Sequence, residues 1–135
     1  MAVDPHEPCH ILIVDDSPAD THLIEAEIKR LASRTRVETA ASAEEGLLKV
    51  RKTRYDLVVC DFKLPGITGL AFMKLSLELR PDTPVVLLTG YGTEELERSA
   101  KQEGALAFIQ KPINHNLLHR VVKNALAYRQ RISAA

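Results

Sequence analysis

The stretch "ILIVDDSPAD" at residues 11–20 drives four aliphatic residues into two adjacent carboxylates, Asp15 and Asp16. At about 4 Å and an effective dielectric of about 20, like charges repel by roughly 4 kcal/mol. Either one carboxylate takes a proton or a cation is expected to bind. Other apolar runs end in comparable groups. "DLVVC" runs into Asp61, "PVVLL" into Thr89, and "LAFI" is followed closely by Lys111. Taken singly each has an ordinary explanation: Asp15 or Asp16 as a favourable charge at a helix start, Thr89 and Lys111 as unremarkable loop residues. Together they are three carboxylates, a hydroxyl and an ammonium, each placed where an apolar run stops. Carboxylate oxygens with open positions suit a small hard cation that keeps its waters and coordinates phosphate, which means magnesium or manganese.

These groups meet only if the runs are neighbouring strands. Five runs recur: "ILIV" (11–14), "RVETA" (36–40), "DLVVC" (56–60), "PVVLL" (84–88) and "LAFI" (106–109). Four are nearly continuous in apolar character, as in a parallel sheet covered on both faces. "RVETA" alternates and reads as an edge strand. Segments of helical period lie between them. In the first, Ile24, Ile28 and Leu31 share a face, with Ser17 as cap and Pro18 at the first helical position. Ser42 and Glu45 form a capping box for the second. The third spans 69–80 and stops at Pro81. The fourth spans 93–104, from Thr93 to the terminator Gly104, and the last 114–132. Strict β-α alternation predicts one doubly wound α/β domain, whose ligands bind beyond the carboxyl ends of the strands.

Composition agrees with a single globular domain. The chain has 135 residues, 45% hydrophobic and 27% charged, with a formal net charge of zero. No basic footprint argues for nucleic acid. No apolar run reaches the length of a membrane span, and "MAVDPHEPCH" lacks the layout of a signal peptide, so a cytoplasmic protein is expected. Cys9 and Cys60 fall at opposite ends of the predicted sheet, too far apart for a disulfide.

"VDD" (14–16), "VVCDFKLPGITG" (58–69), "LLTG" (87–90) and "FIQKP" (108–112) resemble the receiver domain of bacterial two-component response regulators. The resemblance implies a flavodoxin-like (βα)5 domain over 10–132, with strand order 2-1-3-4-5, flanked by an N-terminal extension (1–9) and a short tail (133–135). It implies that Asp61 accepts a phosphoryl group from the phosphohistidine of a sensor kinase or phosphotransfer protein. Asp16 and Asp61 would bind magnesium or manganese directly, Asp15 mainly through water, and the Lys63 carbonyl would complete the set. Thr89 and Lys111 would each bind a phosphoryl oxygen, and a cis peptide before Pro112 would aim the lysine. Thr89 and Phe108 would form the switch, altering the face made by the fourth helix, fifth strand and fifth helix, where a homodimer or a downstream protein docks. The domain would be a phosphoacceptor that assists its own phosphorylation and dephosphorylation rather than an enzyme, with no direct contact to nucleic acid or membrane. Pro65, Gly66 and Gly69 would shape the loop after Asp61. Lys63 and Tyr91 would flank the path of hydrolytic water, where either the Tyr91 ring lies over the phosphoryl group or both side chains point into solvent.

Rival chemistries fit less well. A haloacid-dehalogenase-type phosphatase carries D-x-D after its first strand, whereas here "DD" is adjacent. A flavodoxin-type flavin binder needs a phosphate-cradling loop where "DDSPAD" would repel phosphate. A degenerate receiver, acting without phosphorylation, would not need the complete acidic, hydroxyl and lysine set. His115 and His119 are four apart on one helix face, with no third metal ligand evident. In the last helix Leu117, Leu118, Val121, Val122, Ala125, Leu126 and Ile132 span an arc of roughly 180°. That is wide enough either to be covered on both flanks or to leave an exposed margin.

Overall fold

The computed structural model describes residues 9–31 and 34–134, with side chains of the last helix described through Ala125 and at Ala127. Five strands alternate with five helices: β1 (His10–Val14), α1 (Pro18–Leu31), β2 (Arg36–Ala40), α2 (Ala43–Lys52), β3 (Leu57–Asp61), α3 (Gly69–Leu79), β4 (Val85–Thr89), α4 (Glu94–Gln102), β5 (Ala107–Gln110) and α5 (His115–Ala134). The strands form one parallel sheet in the order β2-β1-β3-β4-β5. "RVETA" is an edge strand, as its alternation predicts, and β5 forms the other edge. Of the expected N-terminal extension, residues 1–8 lie outside the described residues and Cys9 is buried.

Successive strand side chains point to opposite faces, and the core divides accordingly. Ile11, Ile13, Leu57, Val59, Val86, Leu88 and Ile109 pack with Ile24 and Ile28 of α1 and with Leu118, Val121, Val122 and Ala125 of α5. Leu12, Val14, Val58, Cys60, Val85 and Leu87 pack on the other side with Val50, Phe72, Met73 and Ala100 from α2, α3 and α4. Burial on both faces is what makes β1, β3 and β4 read as unbroken apolar runs. The described part of the α5 arc is therefore covered: Leu118, Val121, Val122 and Ala125 are buried and Leu117 packs against the same core. Leu126 and Ile132 lie outside the described side chains.

The helix starts follow their local chemistry. The Asp20 N–H donates to Ser17 Oγ at 3.3 Å. Glu45 N–H donates to Ser42 Oγ, and the Glu45 carboxylate reaches back to the N–H of Ala41, one residue earlier than in a strict capping box. Thr68, inside the "GITG" turn signal, caps α3 through Ala71 N–H. Gly104 takes a positive φ of 113° just after α4, the terminator expected there. Neither cysteine forms a disulfide. Cys60 is registered with Val14 at the carboxyl end of β1, whereas Cys9 precedes the amino end. Among the described residues no helix is long and apolar enough to cross a membrane.

Candidate functional site

Parallel pairing brings the carboxyl ends of β1, β3, β4 and β5 to one rim. Asp61 is the last residue of β3 and Thr89 the last of β4. Asp15 and Asp16 follow β1, where the Asp15 N–H donates to Ala40 O at 3.0 Å. Lys111 follows β5 by one residue, its N–H donates to Thr89 O at 2.8 Å, and its peptide to Pro112 is cis as expected. Main-chain bonds to neighbouring strand ends thus fix the backbones of Asp15 and Lys111.

One oxygen each from Asp15, Asp16 and Asp61 lies within 4.8 Å of the others. Asp15 and Asp61 are buried, and Asp16 is exposed. Asp15 Oδ1 accepts the Ser17 N–H at 2.9 Å, but its buried Oδ2 has no hydrogen-bond partner. A carboxylate oxygen orphaned inside a protein is costly. Lys111 Nζ stands 3.7 Å from that oxygen and 3.4 Å from Asp61 Oδ1. Its hydrogen bond, at 2.8 Å, goes instead to Asp20 Oδ2. Three carboxylates thus face one ammonium, with Asp16 beside two of them, an excess of negative charge that a hard divalent cation fits, and the buried Asp15 Oδ2 is an unused acceptor for it or for its water.

The electrostatics follow. Burial raises the Asp15 carboxyl above its ordinary value of 3.8, and the charges of Asp61 and Asp20 add to this against the opposing Ser17 N–H and Lys111. For Lys111, burial pulls the pKa down, but the Asp20 hydrogen bond and the charges of Asp61 and Asp15 outweigh it and raise the pKa. Burial also pushes the Cys60 thiol well up, with help from Asp61 and Asp15, so it stays protonated beside the site.

The loop after Asp61 is tightly built. Gly69 N–H donates to Phe62 O at 2.6 Å, and Lys63 bridges Thr68. A Cβ on Gly69 would lie 2.4 Å from the Asp61 carbonyl oxygen and 2.7 Å from Phe62 Cα, so only glycine allows that approach. Gly66 turns the loop with a φ of 86°. The Lys63 side chain is exposed.

Thr89 is buried, and its hydroxyl oxygen accepts the Tyr91 N–H at 3.1 Å. Phe108 is also buried and belongs to the core beneath α4. The Tyr91 ring does not cover the rim: the residue is 89% exposed. His115 Nδ1 lies 3.0 Å from Glu27 Oε2.

Asp20 is the site residue the sequence reading passed over. "SPAD" carries a signal of its own, an acid three residues after a capping serine. That pattern predicts a carboxylate turned back to the helix start, whereas here it reaches Lys111, 91 residues away.

Comparison with known proteins supplies the context for this rim. The family described as the response regulator receiver domain matches residues 11–123. The transcriptional regulatory protein GlrR of Escherichia coli is 30% identical over 121 residues, covering 90% of this chain and 27% of that protein. The response regulator protein PilR of Pseudomonas aeruginosa is 32% identical over 118 residues, covering 87% of this chain and 26% of its own length. A CheY-like receiver domain protein from Methanospirillum hungatei superimposes with a TM-score of 0.84 at 31% identity, covering 93% of this chain and 99% of that one. The chain therefore spans about a quarter of the curated relatives' length. It belongs to the response regulator receiver domain family.

Proposed function

From that membership we propose that this receiver domain of two-component signalling accepts a phosphoryl group on Asp61 and reads its presence through Thr89 and Phe108. The observation that carries the proposal is the convergence of Asp15, Asp16 and Asp61 within 4.8 Å, with the Lys111 ammonium 3.4 Å from Asp61. Asp61 ends the central strand, where it is registered with Leu88 of β4 while Cys60 before it is registered with Val14 of β1.

The donor is the phosphohistidine of a sensor kinase or of a phosphotransfer protein. An Asp61 carboxylate oxygen attacks phosphorus, the new O–P bond forms as the P–N bond to imidazole breaks, and the imidazole leaves with the electron pair. Negative charge spreads over the equatorial oxygens, so the protein contributes mainly position and positive charge. Asp16, Asp61 and the Lys63 carbonyl would hold magnesium or manganese, with Asp15 acting mainly through water, and the cation would supply part of that charge. Lys111 pairs with one phosphoryl oxygen. Thr89 gives its hydroxyl to another, keeping or exchanging the bond from Tyr91 N–H. Displacement of the Thr89 side chain changes the space available to the Phe108 ring beneath α4. Water attacking the same phosphorus returns the free carboxylate and inorganic phosphate, so the domain assists both its loading and its reset.

The signalling unit is residues 10–132, acting in the cytoplasm. Its output passes through the face of α4, β5 and α5 to a second copy or a downstream protein, where Leu106 is 42% exposed. The domain itself makes no contact with nucleic acid. Incubation with acetyl phosphate and magnesium tests the reading. It predicts one added phosphoryl group, labile to hydroxylamine, not formed when the metal is chelated beforehand and absent in Asp61→Asn. Normal labelling of Asp61→Asn would refute it.

A further inference from the structure

Lys111 has three carboxylates to choose from, and its choice is informative. An ammonium donates three hydrogen bonds. Nζ is 3.4 Å from Asp61 Oδ1 and 3.7 Å from Asp15 Oδ2, yet its short bond of 2.8 Å goes to Asp20 Oδ2. Burial alone favours the opposite choice. The Asp15 side chain is 1% exposed and that of Asp61 11%, against 37% for Asp20. A cation paired with the wettest of three carboxylates leaves the buried Asp15 Oδ2 without a hydrogen bond.

The position of Asp20 follows from the turn that builds the acidic rim. Ser17 N–H donates to Asp15 Oδ1 at 2.9 Å, and Asp20 N–H donates to Ser17 Oγ at 3.3 Å. A continuous hydrogen-bonded path therefore runs from Asp15 through the start of α1 to Asp20 and across to Lys111. On the far side Lys111 is tied by its own N–H to Thr89 O. The ammonium is stretched between the strand that carries the switch threonine and the helix that follows the metal-binding turn.

We infer that Asp20 is a positioning residue for Lys111, holding the ammonium away from Asp61 until a phosphoryl group arrives to displace it. The inference rests on Asp61 being the phosphoacceptor. Loading then includes an exchange: the Lys111 bond to Asp20 Oδ2 breaks and a bond to a phosphoryl oxygen forms, with no change in proton count. Asp20 thereby slows acceptance, since part of the lysine's interaction with the incoming phosphoryl group is spent on releasing a partner already in place.

The test is a double-mutant cycle on the phosphorylation rate, measured by intact mass with acetyl phosphate in saturating magnesium. Asp20→Asn is expected to load about fivefold faster than the wild type, and Asp20→Glu, which keeps a carboxylate in reach, to load near the wild-type rate. In a Lys111→Met background, followed over hours, Asp20→Asn is expected to change nothing, because the residue it acts through is gone. An equal acceleration in both backgrounds would show mere relief of charge repulsion toward the anionic donor and would overturn the inference. So would an unchanged or slower rate with Lys111 present. If no variant with Asp61 intact takes up phosphate, the reading of the site itself has failed, an outcome distinct from wild type and Asp20→Asn loading equally.

Discussion

The two ends of the sheet are built from the same parallel strands and use polar groups in opposite ways. At the amino end several charges and donors close backbone gaps. His10 N–H donates to Asp56 Oδ2, and Asp56 N–H returns a bond to His10 O. Thr83 Oγ1 donates to Tyr55 O, and the Arg80 guanidinium caps the carbonyls of Val50 and Arg51 at the end of α2. At the carboxyl end, three carboxylates share one ammonium and a buried carboxylate oxygen goes without a hydrogen bond. Orphaned buried atoms away from this rim, such as Thr35 Oγ1 and Ser76 Oγ, are neutral hydroxyls, whose desolvation is far cheaper. One end is finished as folded; the other is left incomplete for something positive and something phosphorylated to complete.

That contrast predicts different consequences for substitutions at the two ends. The largest effect is expected from Gly69→Ala, which forces a methyl group into the Asp61 and Phe62 backbone. It should cost about 3 kcal/mol of stability by overpacking and lower phosphorylation in parallel, read from urea denaturation and acetyl phosphate labelling of the same samples. A stable, normally labelled variant would mean that the loop carries no close constraint. Next comes Lys111→Met, which removes the cation 3.4 Å from Asp61. Its phosphorylation rate should fall about thirtyfold, equivalent to roughly 2 kcal/mol in the barrier.

Asp15→Asn should act with the opposite sign on stability. Because the folded carboxyl is raised above 3.8 by burial first, the folded chain holds more protons than the unfolded one just above that pH. Stability from this group is therefore present below 3.8 and lost as pH rises through the folded value. In chelator at neutral pH, Asp15→Asn should melt about 3 °C higher, corresponding to roughly 1 kcal/mol, and its melting temperature should fall less between pH 4 and 7. Magnesium should stabilise the wild type more than the variant. A variant that melts lower in chelator would contradict the claim that the rim is unfinished. The smallest effect belongs to the other end: Arg80→Ala should cost roughly 1 kcal/mol through two lost caps, with a phosphorylation rate within about twofold of wild type.

Much of this architecture was legible in the sequence because the core is two-sided. Continuous apolar runs mark strands covered on both faces, and the polar residue ending each run marks the rim, so Asp61 and Thr89 emerge as the last residues of their own strands. The Ser17, Ser42 and Thr93 caps were local signals and were read correctly. Three things were not legible. The Thr68 cap is hidden in a glycine-rich turn, because "GITG" satisfies turn chemistry as well as helix initiation. The Asp20–Lys111 bond joins the first helix to the last strand, and periodicity carries no information about contacts at that separation. Which of the two alternatives holds for Tyr91 depends on what surrounds the ring, and a string of residues does not display that it faces solvent.

The measurement that bears most directly on the account is the location of the phosphoryl group. The wild-type chain would be loaded with acetyl phosphate and magnesium, reduced with borohydride to convert an acyl phosphate to its alcohol, and mapped by peptide mass spectrometry. The account predicts homoserine in place of aspartate at residue 61, dependent on magnesium, with Asp15, Asp16 and Asp20 unchanged. Reduction mapped to any other carboxylate, with Asp61 intact, would contradict it.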